Sequence, residues 1–486
     1  MKTITENLQI IKDSTLAMKQ AIINKGGTIN GDITTWANSI DNIPSGGSGD
    51  SSSGKGDVTF YDYDGTVLHS FSKNEFLALN ELPSLPTQPG LICQGWNYDI
   101  TNAKTYVEEY GKLDIGATYI TDDGKTRLYI RIAAEGRMTV PLYFTQTVVN
   151  GVTIDWGDGS ATQTLSGTGN KSTSHTYANI GDYCITLTVT SGCTLGLGHG
   201  LSDYCVMGTG NNEKVYCNML QKVEIGQGVT SIGNETFRNC HSLSSIVIPE
   251  SVTSIGEYAF FSCSLSSVVI PDSVTSIGVN AFYGCSSLIS VVIPESVTFI
   301  GISVFLNCFS LSSIVIPESV TSIGRSTFYG CHSLSSIVIP ESVTSIGNNV
   351  FYDCSLSSIV IPESVTSIGN NVFEGCSSLS SVVIPDSVTS IGRSTFYGCY
   401  SLSSVVIPES LTSIKNYVFE QCYGMAFYDF SYHTVVPTLD TINVFTGIPS
   451  DCKIIVPDNL YDTWIAATNW STYASKIIKK SDWDAL

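Results

Sequence analysis

A segment of 22 or 23 residues repeats between residues 220 and 422, and it constrains the fold more than any other feature of the sequence. The stretch from Leu243 to Cys263 reads LSSIVIPESVTSIGEYAFFSC, and it returns with few changes as far as Cys422. Successive repeat cysteines are 23 residues apart, except for two steps of 22 in which one residue is missing directly after the cysteine. We therefore expect a loop at that point of the repeat. The cysteines that mark the repeat are Cys240, Cys263, Cys285, Cys308, Cys331, Cys354, Cys376, Cys399 and Cys422.

The apolar positions of one repeat predict two short strands and a turn. The LxxIxIP motif predicts an inward-facing strand that ends at its proline, because proline has no amide proton to donate. The VTSI motif predicts a second short strand, and the glycine after it turns the chain. Ala259, Phe260 and Cys263 are then expected to pack inward in a tight helical turn. One such coil cannot fold alone, whereas stacked coils share strands and core, so the repeat predicts a solenoid.

The repeat resembles the BspA-like leucine-rich repeats of bacterial and protist surface proteins, through the phrase IxIPxSVTSIGxxxFxxC. The resemblance implies a mainly β protein whose residues 220–430 form a leucine-rich-repeat solenoid of 22-23-residue coils. Residues 452–478 resemble the closing unit of that family, with a helix that carries Trp464, Trp470 and Tyr473, which implies a C-terminal cap over 431–486. Lys415 replaces the repeat glycine in the last coil, which suits a coil that adjoins a cap. The family implies adhesion or recognition as the function.

Residues 154–190 resemble a PKD-type β-sandwich domain. The matching segments are WGDG at 156–159, HTY at 175–177 and GDY at 181–183, and the last of these leads into an alternating strand. The resemblance implies a spacer domain, which we place at 125–192. Residues 193–219 are expected to be a connector and an N-terminal cap of the solenoid.

The segments before the sandwich predict a linker and a small α+β module. Residues 45–56 read SGGSGDSSSGKG, a composition typical of flexible linkers. The module at 57–124 begins with an alternating strand, and Asp64-Gly65 predicts a hairpin turn after it. This module resembles tail-associated proteins of gut phages and prophages.

Residues 1–44 predict a helical attachment or oligomerisation segment. Its apolar residues recur at steps of four and three, which is the seam of a three-heptad coiled coil, and Gly26-Gly27 ends the helix. The seam predicts self-association, with a homotrimer as one form of it, while the alternative is a single helix packed on a neighbouring domain. The segment NLQIIKDSTLAMKQAIINKGG resembles N-terminal attachment segments of phage tail fibres. The seam residues are Ile4, Leu8, Ile11, Thr15, Met18 and Ile22.

The charge of the chain restricts its partners. The formal net charge is −20, which disfavours nucleic acid and anionic bilayers because both require patches of Lys and Arg. Carbohydrate, a cationic protein or a divalent-cation bridge fits better. We expect no membrane insertion, since no run of 18 apolar residues occurs, and we read no secretory leader in the first 20 residues.

Catalytic motifs do not occur in the sequence, and we expect a protein that is not an enzyme and has neither a cofactor nor a metal site. HExxH, P-loop and GxSxG patterns are not found. His241 and His332 occupy the same repeat position four coils apart, which is too far for a shared metal. The fifteen cysteines are an odd number without a CxxC, so neither a zinc site nor a full disulfide framework is predicted. The cysteines assigned outside the repeat are Cys93, Cys184, Cys193, Cys205, Cys217 and Cys452.

Three columns of outward residues are candidate functional surfaces. The first is one carboxylate per coil after the proline, from Glu250 to Glu409, which we read as a solvated edge. The second is one valine per coil, from Val247 to Val406, which is expected to point outward between inward residues. The third differs between coils and carries aromatic residues, which serve as interface anchors and as sugar-stacking platforms, while drift is the alternative explanation. The aromatic candidates for binding are Tyr258, Phe261, Tyr283, Phe309, Tyr329, Tyr352, Tyr397 and Tyr400.

Three functions fit these features. The first is a phage tail-fibre or receptor-binding component, located in the virion tail, that contacts other tail proteins and recognises a host-surface glycan or protein. The second is a BspA-like adhesin on the cell surface of a bacterium or protist. The third is a structural virion protein without a ligand. The reading of no secretory leader favours the first over the second.

Overall fold

The fold is described from a computed structural model. The described residues form a mainly β protein with 9% helix and a solenoid of about 11 coils of about 23 residues, as the repeat predicts. They fall into two compact units, which we call the first unit (up to Ser319) and the second unit (Val320–Leu486). The predicted N-terminal helix, its seam from Ile4 to Ile22 and the Gly/Ser linker lie outside the described residues. The structure describes residues 57–61, 67–86, 91–96, 100–121, 123–198, 204–209 and 214–486.

The first part of the first unit is a four-stranded sheet with two helices. Strand β1 (Val58–Tyr61) pairs antiparallel with β2 (Val67–Phe71), as a hairpin requires, while the turn predicted at Asp64-Gly65 lies outside the described residues. On its other side β1 pairs parallel with β4 (Leu113–Thr121), and with β3 (Leu91–Trp96) the order in the sheet is β2-β1-β4-β3. Ser72 caps the first helix, because its backbone N–H donates to the Glu75 carboxylate at 2.9 Å and its hydroxyl accepts from the Glu75 N–H. The elements are β1 (Val58–Tyr61), β2 (Val67–Phe71), α1 (Lys73–Leu77), β3 (Leu91–Trp96), α2 (Ile100–Tyr110) and β4 (Leu113–Thr121).

Six strands that follow belong to two sheets, with β5, β10, β7 and β8 in one and β6 and β9 in the other. Strand β5 (Thr126–Ile132) alternates between buried and less buried residues, as a strand with one face in a core does. Two of the three motifs that carry the sandwich resemblance contact each other: the His175 ring stacks on Trp156 at 5.0 Å and bonds the Asp158 carboxylate at 2.7 Å, and the Tyr177 hydroxyl donates to the Trp156 carbonyl at 2.9 Å. The strands are β5 (Thr126–Ile132), β6 (Thr139–Gln146), β7 (Val152–Asp155), β8 (Gln163–Thr164), β9 (Gly169–Thr176) and β10 (Gly181–Val189), with a 3-10 turn at Glu135–Arg137.

Both sheets continue into the first coils of the solenoid. Strand β14 (Leu220–Glu224) pairs antiparallel with β5 and parallel with the first repeat strand, β16 (Ser245–Val247). Strand β11 (Leu195–Leu197) pairs antiparallel with β6 and parallel with β15 (Val229–Ile232). Strands β5 and β6 therefore cover the strand edges that the first coil would otherwise expose, which is the task of a cap. The predicted boundaries at 192 and 219 remain predictions about domains, and the sheets run across them. The remaining elements of this segment are β12 (Tyr204–Cys205), β13 (Gly208–Thr209) and α3 (Lys214–Cys217).

Two parallel ladders run along the coils of each unit, and equivalent repeat positions pair in register. A three-residue strand of the SIV type forms the long-strand ladder, and a two-residue SI strand forms the short-strand ladder. The long strands of the first unit are β16, β18 (Ser267–Val269), β20 (Ser290–Val292) and β21 (Ser313–Val315), and its short strands are β15, β17 (Ser254–Ile255) and β19 (Ser276–Ile277). The long strands of the second unit are β24 (Ser358–Val360), β26 (Ser381–Val383), β28 (Ser404–Val406), β30 (Phe427–Asp429), β32 (Lys453–Val456) and β33 (Ile477–Lys479). Its short strands are β22 (Ser322–Ile323), β23 (Ser345–Ile346), β25 (Ser367–Ile368), β27 (Ser390–Ile391), β29 (Ser413–Ile414) and β31 (Thr438–Leu439).

The third side of each coil, from the repeat glycine to the cysteine, consists of tight turns rather than the predicted helical turn. Two residues of each turn region have positive φ, as Tyr258 at 55° and Ser262 at 54° do. The N–H of Phe260 donates to the Ala281 carbonyl of the next coil at 2.7 Å, so this side hydrogen-bonds between coils instead of within a helix. Left-handed backbone favours Asn and Gly, which explains why Asn or Gly precedes many of the repeat cysteines.

The core of the repeat is a column of phenylalanine rings beside a column of thiols. The Phe351 ring stacks 5.7 Å from Phe328 and 5.6 Å from Phe373. Each repeat thiol is buried, and that of Cys285 donates to the Phe260 carbonyl of the preceding coil at 3.0 Å.

Cys217 belongs to the same column, although the sequence analysis assigned it outside the repeat. It lies one 23-residue step before Cys240. The residues after it repeat the LxxIxI motif, and Leu220, Val223 and Ile225 are fully buried. The predicted solenoid includes this coil from residue 220, but Cys217 was left out because the segment that follows it has Gly226 where later repeats have the proline, so its match to the repeat phrase is weaker.

The C-terminal segment closes the second unit with aromatic residues. Trp464 and Trp470 are fully buried, and the Trp470 indole N–H donates to the Pro437 carbonyl at 2.6 Å. The predicted closing helix is present as two short pieces, because Asn469 between them has a φ of 66°. No described helix combines the length and the apolar character that a membrane span requires. The helical pieces are Asp458–Leu460 (3-10), α4 (Tyr461–Ala466), Trp470–Tyr473 (3-10) and α5 (Lys480–Trp483).

Candidate ligand-binding surface

The long-strand side varies little between the coils. Its outward residues are mostly paired serines and one valine per coil, with Ile289 in place of one serine, and the valines point outward as predicted: Val383 is 55% exposed and Val315 is 42% exposed. A surface that repeats nearly the same side chains in each coil offers nearly the same contacts at every step. It therefore has little of the variation by which one ligand is distinguished from another.

The carboxylates that follow the prolines form an exposed edge. The Glu250 carboxylate accepts from the Ser273 N–H of the next coil at 3.3 Å. Partial burial, together with the charges of Asp386 and Glu341, raises the pKa of Glu363. Among the described residues, no group of three or more His, Cys, Asp or Glu side chains is placed to hold a metal ion. Solvent exposure of all eight carboxylates fits the reading as a solvated edge.

The third side of the coils carries the predicted aromatic residues in three positions. Tyr258 occupies the first left-handed position of its turn. The position directly after the buried phenylalanine, which we call the post-Phe column, holds Phe261, Tyr283, Tyr329, Tyr352 and Tyr397, and in other coils Arg238, Leu306, Glu374 and Glu420. The position directly after the cysteine, which we call the post-Cys column, holds Phe309 and Tyr400, and in other coils His241, His332, Tyr423 or a serine.

In the first unit the structure brings three of the predicted aromatics together around an arginine. The Phe261 and Tyr283 rings stack at 4.8 Å, and Tyr258 lies 5.8 Å from Phe261. The Arg238 guanidinium lies 5.4 Å from the centre of the Tyr258 ring and 5.1 Å from that of Phe261. Arg238 was not among the binding residues predicted from the sequence. It could have been found there, because it occupies the same repeat position as the aromatic residues of the post-Phe column.

In the second unit the Tyr329 and Tyr352 rings stack at 4.4 Å and are nearly parallel. The next member of the column is Glu374, which accepts a hydrogen bond from the Asn371 amide. Burial first, and then the Glu374 charge, raise the pKa of Tyr352 to about 12, and burial raises the pKa of Glu374. The Tyr352 hydroxyl and the Glu374 carboxylate thus place polar groups directly beside the aromatic pair.

The last two coils of the post-Cys column form a second pair. Tyr400 and Tyr423 stack at 5.4 Å, and they are 47% and 56% exposed. Tyr423 was not among the predicted binding residues, although it follows Cys422 as Tyr400 follows Cys399. Among the aromatic residues of this side that the structure describes, these two expose the largest fractions of their surface, and Phe309 follows at 42%.

Stacking decides which part of each ring a ligand can reach. Two parallel rings at 4.4–5.4 Å cover one face of each other, so each pair presents ring edges, hydroxyl groups and at most one open face per ring. Such pairs combine apolar area with hydrogen-bonding groups at low entropic cost, since the rings already hold one another in place. The arrangement can anchor a protein segment or the edge of a saccharide.

One coil of the first unit differs from the others by apolar substitutions at polar repeat positions. Ile289, Phe299, Ile302 and Phe309 stand where other coils carry mainly serine, asparagine or other polar residues, and they are between 42% and 50% exposed. Phe309 is the one member of this group that the sequence analysis selected. Ile289, Phe299 and Ile302 were not among the predicted binding residues, although the equivalent positions of other coils are mainly polar.

The sequence profile described as the BspA type leucine-rich repeat region matches residues 210–323 and 298–426, in six copies. These residues are the ones whose strands, turns and buried phenylalanine and cysteine columns form the coils. The repeats belong to the BspA type leucine-rich repeat family. The PKD-like and phage-like resemblances of the sequence stay predictions.

Several solved structures are similar to the BspA-type chain. A leucine-rich repeat protein of Bacteroides ovatus is 23% identical, over 54% of this chain and 84% of that chain, with a TM-score of 0.38. A leucine-rich cell surface protein of Faecalibacterium prausnitzii is 32% identical, over 40% of this chain and 62% of that chain, with a TM-score of 0.31. A leucine-rich repeat protein of T. pallidum is 34% identical, over 38% of this chain and 84% of that chain, with a TM-score of 0.31. No curated relative matches the chain significantly.

Proposed function

We propose that the protein is a cell-surface recognition protein of the adhesin type, which binds a host-surface glycan or protein through the third side of its coils. BspA-type repeats are typical of cell-surface and extracellular proteins, which supports this over the other readings of the sequence. The observation that carries the proposal is the Tyr400 and Tyr423 pair, because two stacked and half-exposed tyrosines form a preorganised anchor. The third side is also the side on which coils of otherwise constant sequence differ.

The test is binding of the full chain to cultured host cells and to a glycan array. Truncating both rings with Tyr400→Ala and Tyr423→Ala is expected to weaken binding at least about tenfold, since anchor residues contribute roughly 2 kcal/mol or more to an interface. The matched control is Ser286→Ala with Ser377→Ala, because both serines occupy the post-Cys column and are exposed.

Binding that survives the double tyrosine substitution unchanged contradicts the assignment of this surface. A full chain that binds neither cells nor glycans contradicts the proposed function as a whole. In that case the third hypothesis, a structural protein without a ligand, gains support. We also propose that the chain has no catalytic activity and needs no cofactor.

The second candidate function is a receptor-binding component of a phage tail. The apolar seam at Ile4, Leu8, Ile11, Met18 and Ile22 and the resemblance of that segment to tail-fibre attachment segments favour it. In this reading the same aromatic surface binds the host, the seam mediates attachment and trimerisation, and the location is the virion tail. Neighbouring genes decide between the candidates, because tail genes on both sides support the second and surface-protein genes support the first.

A further inference from the structure

The second unit contains a groove on the corner where the short-strand ladder meets the third side. The groove has a volume of about 320 Å³ and lies wholly within the second unit. It is separate from the post-Phe and post-Cys columns, and the function proposed above does not use it. The lining residues that matter for its chemistry are Asn348, Gly369, Asn370, Gly392, Arg393 and Lys415.

The floor of the groove is backbone, because adjacent coils approach too closely there for side chains. A Cβ atom added to Gly392 would lie 2.4 Å from the Asn370 backbone nitrogen. A Cβ atom added to Gly369 would lie 2.7 Å from the Gly347 carbonyl carbon. Gly369 and Gly392 are therefore required by coil packing, and the depression above them is a fixed part of the fold.

The asparagine side chains of the groove are oriented by the backbone. The Asn370 N–H donates to the Asn348 amide oxygen at 2.8 Å, and the Arg393 N–H donates to the Asn370 amide oxygen at 2.8 Å. Because each amide oxygen accepts a backbone N–H of the next coil, the side-chain oxygen and not the NH₂ group is turned toward that backbone. The NH₂ groups of Asn348 and Asn370 are therefore left as hydrogen-bond donors for other partners.

Two cationic side chains border these donors. Arg393 is exposed, and its guanidinium forms no ion pair with any residue that the structure describes. Lys415, which replaces the repeat glycine, brings an ammonium group that is 47% exposed and lies 3.6 Å from the carboxylate of Asp440, which also lines the groove. Asp440 therefore offsets the Lys415 charge, and Arg393, whose charge also lowers the pKa of Glu374, is the cation of the groove that has no salt bridge among the described residues. The chain has only 23 basic residues against 43 acidic ones, so an exposed guanidinium beside two amide donors stands out against an acidic surface.

We infer that this groove binds the acidic group of a saccharide, a carboxylate or a sulfate, on a surface glycan. Both groups are oxyanions that accept several hydrogen bonds at once, which suits a guanidinium flanked by amide NH₂ groups. The remaining polar lining, such as Ser390 and Asn416, suits sugar hydroxyls. The inference rests on the proposed recognition function and names the chemical class of a ligand for it, at a site apart from the tyrosine pair.

The test is titration of the full chain with matched monosaccharides, followed by ligand-observed NMR and calorimetry. D-galacturonate and D-galactose differ by a carboxylate in place of a hydroxymethyl group, and galactose 6-sulfate gives the sulfate arm. We expect the acidic sugars to bind at least about tenfold more tightly than galactose, and binding to weaken as salt is raised, because the charges are exposed. The arm that binds more tightly identifies the oxyanion.

The variants separate the groove from general electrostatics. Arg393→Gln is expected to weaken binding of the acidic sugar about tenfold or more. Asn370→Asp keeps an oxygen for the Arg393 N–H but replaces the donor by a carboxylate, and it is expected to abolish binding while the melting temperature stays close to that of the parent. The matched control is Arg325→Gln, because Arg325 follows the repeat glycine as Arg393 does and lies outside the groove.

Equal affinity for galactose and the acidic sugars overturns the inference, as does a loss in Arg393→Gln no larger than that in Arg325→Gln. Failure of the groove inference can be told apart from failure of the proposed function. Host-cell binding that depends on Tyr400 and Tyr423, with no binding of the acidic sugars, retains the proposed function and refutes the groove. Acidic sugars that bind in the groove of a chain that does not bind host cells give the opposite result.

Discussion

Replacing one buried ring tests whether the phenylalanine column holds the coils together. Phe396 is fully buried, and its ring lies 5.4 Å from Phe373 and 5.5 Å from Phe419. Truncating a buried phenylalanine costs about 3–5 kcal/mol, and the loss of two ring contacts places Phe396 at the upper end of that range. We therefore expect Phe396→Ala to lower the free energy of unfolding by about 4–5 kcal/mol.

Urea denaturation of the full chain measures this change. Trp464 and Trp470 are buried in the same unit, so their fluorescence reports its unfolding, and circular dichroism recorded in parallel shows whether the coils unfold in one step. The control is Tyr397→Ala at the next residue, whose side chain lies on the outer side of the same turn and should cost below about 1 kcal/mol. If Phe396→Ala destabilises the chain no more than this control, the ring column does not supply the cohesion argued here.

Four further outcomes are expected. The repeat thiols should titrate as free cysteines only after denaturation, because burial raises the pKa of Cys285 and Cys376 to about 12, and several disulfides among them would refute this. The melting temperature should fall as pH drops below about 6.5, since burial lowers the pKa of His433 and the unfolded chain then binds more protons, and His433→Phe should flatten that dependence. Millimolar calcium should leave the melting temperature unchanged, and a stabilisation of several degrees would mean that the acidic edge binds the ion. Removing residues 1–44 should lower the number of chains per particle found by light scattering, and an unchanged number would exclude the seam as an oligomerisation element.

The sequence contains enough information to predict the coil and its inward residues. Every coil repeats the same apolar spacing, so the inward positions can be predicted from many copies of the motif and not from one. Residues such as Leu243 and Phe260 are buried as expected. The turn of the third side was predicted as helical because an inward Ala-Phe-x-x-Cys spacing fits a helix equally well. The deciding contacts are hydrogen bonds to the next coil, which no single repeat reveals.

The joint between sandwich and solenoid could not be read from the sequence, because it depends on pairing of distant segments. Strand β5 pairs with β14, and the Tyr129 hydroxyl donates to Glu224, 95 residues further along the chain, at 3.1 Å. Neither strand carries a local signal that names its partner. The contacts among the candidate binding residues are similarly unpredictable, since stacking of Tyr400 on Tyr423 follows from coil register and not from proximity in the chain.

The backbone of the third side bears on whether its variation is drift. The first left-handed position of the turn is Asn in several coils, and Asn adopts that conformation with little strain, as Asn349 does at a φ of 57°. Tyr258 and Tyr417 occupy the equivalent position with φ of 55° and 62°, where a bulky side chain costs about 1–2 kcal/mol. The cation–π contact of Tyr258 with Arg238 offsets about 0.5–1 kcal/mol of that cost. The contact thus recovers only part of the backbone cost. Such uncompensated strain is expected where the side chains of a surface are selected for what they contact. This places the aromatic surface of the third side, rather than the uniform strand faces, at the centre of the proposed recognition function.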